Sequence, residues 1–310
     1  MGAKVRVGVT GSSGFIGSAL TAALRERGDE VVRFVRPESV AQSGSIIRWD
    51  PSRQLVDDGD LARVGGFDAV INLAGAGIGD HRWSATRKSE IERSRIDATE
   101  LLVSTMRTLP SGTALLASGS AIGVYGSRGD EVLDETSSLG HDFLAQLCIR
   151  WEGAANALRE HGSIVASLRT GIVMSPQGGS LKRQLPLFRV GLGGPHSSGA
   201  HWLSPISLRD EVRAILWVLD HQLSGAVNLV CPTPLTNKEF AHDLANALHR
   251  PGVTRIPAAL LKVALGAQLT TEAVLASQRV MPMKLTENGF NFENPDAPTI
   301  AAQVVRLLTI

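Results

Sequence analysis

Gly11, Gly14 and Gly17 fall at intervals of three between an apolar run at 5–9 and a helical pattern of Ala19, Leu20, Ala23 and Leu24. A missing side chain serves three purposes there: a tight turn, close approach of backbone to a pyrophosphate, and packing of helix on strand. The spacing differs from the G-x-G-x-x-G form, and a structural turn is the bland alternative; the position between an apolar strand and an apolar-faced helix favours a nucleotide. About 20 residues further on, where an acid would bind a ribose hydroxyl and repel a 2′-phosphate, stands Arg36. A guanidinium pairs with a phosphate, which points to NADP(H) over NAD(H); a solvated strand-end charge is the other reading. Further along, Ser120 closes a strand-like run at 114–117, at the sheet edge where ligands bind in open α/β folds. The single tyrosine, Tyr125, has Gly129 four residues later. His81 and His201 lie in polar loops as candidate acids or bases. Arg82 and the Lys182-Arg183 pair have the charge to hold an anionic substrate, with a surface role as the alternative for 182–183.

Short β-branched runs at 31–35 and 68–74 read as buried parallel strands. Between them and the run at 164–168 lie helical patterns at 86–109 and 143–161. Strands alternating with helices predict an α/β fold, a doubly wound parallel (Rossmann) sheet over 1–174. Beyond residue 174 glycine and proline become frequent, as in Gly191-Leu192-Gly193-Gly194-Pro195. Residues 175–310 are expected to form a smaller substrate-side region interlocked with the first. Helices are expected at 209–219 and after Pro257, a strand at 226–230, and a capping box at Thr236 and Glu239.

With 310 residues, 43% hydrophobic and 20% charged, the chain is long and apolar enough for a sizeable core. Its 31 basic and 30 acidic residues leave a net charge of +1, which removes the usual electrostatic argument for nucleic acid or an anionic membrane. No stretch approaches the roughly 18 apolar residues of a membrane span, and the N-terminal run lacks a signal-peptide layout, so a cytoplasmic protein is expected. Cys148 and Cys231 form no metal-ligand pair with nearby histidines and read as buried thiols. No metal is expected, the partner is a small-molecule substrate, and the oligomeric state is open.

The turn at 10–17, Asn72-Leu73-Ala74-Gly75 and Ser118-Gly119-Ser120 resemble the extended short-chain dehydrogenase/reductases. Arg48-Trp49-Asp50, Arg82-Trp83, Ser94-Arg95, Trp151-Glu152 and 278–282 resemble the atypical branch labelled epimerase family protein, which has its own C-terminal domain. The resemblance covers nearly the whole chain. It implies cofactor contacts from Gly11, Ser13, Gly14, Phe15, Ile16, Gly17, Arg36, Leu73, Ala74, Gly75, Glu90, Arg95 and Val173. It makes Ser120 the active-site serine and places Tyr125 near the substrate pocket, as a proton donor, a substrate contact or a packed phenol. His81, Arg82 and His201 are the substrate-side candidates. The sequence departs from the branch at Ala76, Pro205 and Ser207. The Tyr-x-x-x-Lys pair, in which a lysine lowers the pKa of a proton-exchanging tyrosine, is absent, and Phe143-Leu144-Ala145-Gln146-Leu147-Cys148 stands in its region. Three functions follow: an NADP(H)-dependent oxidoreductase or epimerase-like enzyme with a nonstandard proton step, a non-catalytic NADP(H)-binding sensor, or a scaffold.

Overall fold

The computed structural model describes residues 5–39, 44–109, 113–252 and 254–308. Eight strands form its central sheet: β1 (Arg6–Thr10), β2 (Glu30–Val35), β3 (Ile46–Asp50), β4 (Leu55–Val56), β5 (Phe67–Asn72), β6 (Thr113–Ala121), β7 (Ile164–Thr170) and β8 (Gly225–Leu229). Their spatial order is β8-β7-β6-β5-β1-β2-β3-β4. All neighbours are parallel except β3 and β4. The chain therefore winds outward from β1 in both directions, and the crevice at the carboxyl ends of β1 and β5 is the topological switch point where such sheets bind ligands.

Strand β3 is not read from the sequence. Ile46, Ile47 and Trp49 are buried, while Arg48 between them pairs with the buried carboxylate of Asp60 at 3.0 Å. The pattern is that of a strand next to the sheet edge, with one polar position tied to α2 (Asp58–Val64).

Both faces of the sheet are covered, as buried parallel strands require. On one, α1 (Phe15–Glu26) packs Leu20 and Leu24 against Val7, Val9 and Ala69, and α6 (Leu208–Asp220) adds Val212, Ile215 and Val218. On the other, α3 (Ala85–Arg107) and α4 (Phe143–Asn156) bring Leu101, Leu102, Met106 and Ala155 against Val32, Val70 and Leu116. Side-chain caps start α3, α4 and α6: Ser84 accepts from Arg87 N, Asp142 from Ala145 N, and Ser207 from Asp210 N. At α7 (Asn237–Ala247) Thr236 and Glu239 form the full capping box.

Residues beyond 174 serve two bodies. Strand β8 and α6 belong to the central sheet, whereas α5 (Gly179–Arg189), α7 and α9 (Ala297–Leu308, following α8 at Ala258–Leu265) share a separate core of Leu181, Leu185, Phe188, Leu244, Ile300 and Val304. Two short parallel pairings stitch the parts together: 172–174 with 205–207, and 279–280 with 132–133.

One carboxyl group in this core lacks full satisfaction. Glu211 is wholly buried; its Oε1 accepts from Thr170 Oγ1 at 2.8 Å and its Oε2 has no partner. Burial pushes its pKa up to about 8, against the pull of the Thr170 hydrogen bond. Between the ordinary carboxylate range and that value the folded protein keeps a proton that the unfolded chain releases, so stability falls as pH rises through the window. Glu211→Gln removes this dependence. Its melting temperature is expected to exceed the wild type's by roughly 5 °C or more at pH 8, with the gap closing near pH 4. Parallel thermal melts across pH check this, and identical pH profiles in the two proteins would refute it.

Candidate functional site

The turn at 11–17 is closed by backbone contacts that only glycine permits. Gly11 has φ +62°, and a Cβ there would stand 2.5 Å from the Leu73 carbonyl oxygen. A Cβ on Gly17 would collide with the Gly11 carbonyl, so α1 rests directly on the turn. Gly14 N donates to Gly11 O at 2.9 Å, and Gly14 is the N-cap of α1 with no side-chain hydrogen bond. Among the described residues no side chain satisfies the first-turn amides of α1, the arrangement that suits an anion such as a pyrophosphate. Ser13 is exposed beside them, Ile16 packs on the core, and the Phe15 ring lies against Gly178 and Gly179.

The neighbouring loop is fixed by Thr10. Its Oγ1 donates to Asn72 Oδ1 at 2.7 Å and accepts from Leu73 N and Ala74 N at 3.0 and 3.1 Å. Asn72 Nδ2 in turn donates to Thr99 Oγ1 and Ser118 Oγ, and Trp151 Nε1 donates to Thr99. Gly75 lies under the Arg95 guanidinium, where a Cβ would meet Cζ at 3.0 Å. Arg95 stacks on Trp151 with its Cζ 5.2 Å from the ring centroid and donates to Ile91 O. Burial lowers its pKa to about 10, and repulsion from Arg87 adds to this, against the pull of Cys148. It remains a cation at neutral pH and makes no ion pair among the described residues. Glu90 sits elsewhere: its carboxylate is exposed and holds the buried Arg87 at 2.7 Å, and Arg87 grips the Gly77 carbonyl. Val173 is buried in the 172–174 strand, packed in the same core as Phe15 and Leu73. Arg36 stands exposed one residue past β2.

Ser120 and Tyr125 belong to one buried polar chain. Ser120 Oγ donates to Glu152 Oε1 at 2.6 Å, and Glu152 is clamped by Arg169 Nε and Nη2 at 2.9 and 3.0 Å. Arg169 Nη1 donates to Tyr125 Oη at 2.9 Å, and Tyr125 Oη donates to Asn228 Oδ1 at 2.7 Å. Arg169 pKa is raised, despite the cost of burial, by Glu152 and Tyr125. Tyr125 has 0% exposure, and burial pushes its phenol up to about 12 against the pull of Arg169. With its proton and an acceptor site used and no exposed surface, the phenol has the geometry of the packed reading, its hydroxyl satisfied.

The remaining candidates scatter. His81 is exposed in the 77–83 loop. Arg82 Nε donates to Ala264 O at 3.1 Å, tying that loop to the end of α8. His201 lies half-buried near the backbone of Val274, its Nε2 without a partner, and burial together with the charge of His196 lowers its pKa to about 4. Cys148 and Cys231 are free and buried, and burial pushes the Cys148 thiol up to about 11. No cluster of metal-ligating side chains occurs among the described residues. Sequence reading missed Arg169 and Asn228, and gave Glu152 no partner. Their signal is contact across 17 to 103 positions, as in Arg169–Glu152 and Tyr125–Asn228.

Residues 7–230 match the model of the NAD dependent epimerase/dehydratase family, and residues 256–304 match DUF1731, a domain of unknown function. The chain belongs to the NAD dependent epimerase/dehydratase family. This family member is 42% identical over 293 residues to an epimerase family protein of Mycobacterium bovis, covering 94% of this chain and 95% of the relative. It is 35% identical over 295 residues to the chloroplastic Arabidopsis thaliana epimerase family protein SDR39U1 homolog, covering 94% and 84%. Among solved structures, it is similar to human epimerase family protein SDR39U1 (isoform 2) with NADPH: TM-score 0.87, 28% identity, and 97% and 99% of the two chains. A Bacillus cereus UDP-N-acetylglucosamine 4-epimerase, 18% identical at TM-score 0.76 over 98% and 99% of the two chains, shares the fold.

The role of Tyr125 in this family member is testable. Tyr125→Phe leaves the buried Arg169 and Asn228 groups each short of a partner, which is expected to cost about 1–3 kcal/mol of stability. Denaturant unfolding measures it, and a midpoint unchanged from wild type would contradict the structural role.

Proposed function

We propose that this chain binds NADP(H) in preference to NAD(H) and acts in the cytoplasm as an oxidoreductase or epimerase-like enzyme on a small-molecule substrate. The observation that carries the cofactor reading is the glycine turn, where a Cβ at Gly11 or Gly17 would collide with neighbouring backbone and whose helix N-cap makes no side-chain hydrogen bond. NADP(H), when bound, supplies or takes up the hydride. The chain's own residues do the rest: first-turn amides of α1 hold the pyrophosphate, and Arg36 meets the 2′-phosphate at the end of β2. Arg95, a cation with no carboxylate partner among the described residues, draws a second anionic group toward Gly75. Leu73, Ala74 and Val173 form the apolar wall, and Glu90 shapes the loop through Arg87. Ser120 has its only proton committed to Glu152 and therefore offers its oxygen as an acceptor. Since Tyr125 is locked, the proton step falls to another group, and His81 is the exposed candidate.

A second reading, an NADP(H)-binding sensor without turnover, is favoured by that same locking of Tyr125. Fluorescence titrations with NADPH and NADH at one salt concentration test the shared cofactor claim. NADPH is expected to bind more tightly, and Arg36→Asp to weaken it by roughly 10- to 100-fold while leaving NADH nearly unaffected. Equal affinity for both cofactors, unaltered by the substitution, would sink the NADP(H) preference. A metabolite screen then separates the readings: turnover supports the enzyme. NADPH binding without turnover, with different effects of NADPH and NADP+ on oligomeric state or partner binding, supports the sensor.

A further inference from the structure

Two segments rise on either side of the glycine turn and meet beyond it. The first leaves β5 at Leu73, whose carbonyl abuts Gly11, passes Gly75 under Arg95, and continues to 77–83. The second runs from the 172–174 strand through Gly178 and Gly179, packed on the Phe15 ring at the start of α1, into α5. Arg183 on α5 closes the gap: its Nη2 donates to Asp80 Oδ1 at 2.6 Å, and its Nη1 donates to the Gly79 carbonyl. The two partners are 103 positions apart in sequence. The Asp80 carboxylate sits against Gly77, at a place that a side chain on residue 77 would fill, and approaches Arg87 Nη2 at 3.9 Å.

We propose that the 76–83 loop and the start of α5 form a strap over the cofactor edge, latched by Arg183 on Asp80 and Gly79, and that NADP(H) enters and leaves only when the latch opens. The proposal rests on the cofactor reading above. Arg183 is thereby withdrawn from the anion-holding role its charge suggests; its guanidinium serves the strap. The latch is also of the right strength for a gate. Its side chains are 57% and 50% exposed, and an ion pair in that setting is weak and salt-sensitive. The anchors on either side are firmer: Leu73 and Ala74 are held by Thr10, and Gly77 by the buried Arg87. The strap therefore hinges between a fixed base and a releasable tip.

Stopped-flow NADPH binding and release, measured on the full chain, tests this. Asp80→Asn and Arg183→Ala are each expected to speed NADPH release by about two- to fivefold. Raised salt should speed release from the wild type more than from either variant. Arg189→Ala, an exposed cation further along the same helix, is the control and should leave the rates unchanged. Combining Asp80→Arg with Arg183→Asp should restore slower release. Amide hydrogen exchange over 76–83 without cofactor supplies a ligand-independent readout: exchange is faster in both single variants if the latch holds the loop. Rates and exchange equal to wild type in both single variants overturn the proposal. If no NADPH binds the wild type at all, the cofactor reading fails and the gate with it. If NADPH binds but its release ignores both substitutions, only the gate fails.

Discussion

The hydroxyl of Thr10 makes three hydrogen bonds, the most a hydroxyl can make with one proton and two lone pairs. Through them the end of β1 is fastened to Asn72, Leu73 and Ala74 at the end of β5. Asn72 and Thr99 are saturated in the same way, by Ser118, Trp151 and the Arg95 carbonyl. In a dry interior each such group would be costly if left alone, so the cluster holds only as a whole. The glycine turn, the loop that faces it, α3 with Arg95, and α4 with Trp151 all take their mutual positions from it. The close approach of Gly11 to Leu73 O is a consequence, since the Leu73 and Ala74 amides are already pinned to residue 10.

A second chain of polar groups, from Ser120 through Glu152, Arg169 and Tyr125 to Asn228, crosses β6, α4, β7 and β8. Ser120 and Tyr125 act in it as ties between these elements. Arg169 and Glu152 are both largely buried, and neither charge is tolerable there without the other. Tyr125 takes a third Arg169 hydrogen bond and reaches Asn228, whose backbone N donates to Glu135 and whose Nδ2 donates to the Met281 carbonyl. The C-terminal segment is thus wired to the sheet behind Ser120.

The sequence was most legible where local sterics decide the conformation. Gly11, Gly14 and Gly17 announce their turn because the constraint lies within seven residues, and the Thr236–Glu239 capping box is legible for the same reason. Strand β3 was not, because Arg48 breaks the apolar run and its justification, Asp60, belongs to the next helix. The Tyr125 environment was illegible for a stronger reason. A buried phenol and a catalytic one have the same letter, and the difference is made by Arg169 and Asn228, brought from β7 and β8. Arg183 likewise reads as a surface charge until Asp80 is placed opposite it. Glu90 and Arg95 lie on one long helix, yet the Glu90 carboxylate is spent on Arg87 while the Arg95 cation makes no ion pair among the described residues.

The C-terminal segment also packs on the start of α4. Glu272, on a π-helical turn at 270–274, accepts from Leu144 N at 3.3 Å and from Gln268 Nε2 at 2.8 Å, and Gln268 accepts from Lys88 Nζ. Phe143 is covered by Trp83, edge to face with centroids 5.2 Å apart, and by the Lys88 ammonium at 5.2 Å. The start of α4 is therefore packed against α3, the 77–83 loop and the matched domain of unknown function together. A side chain at 143 or 144 that had to reach a substrate would have to displace these contacts. The helix start at 143–144 thus serves to hold the C-terminal residues in place.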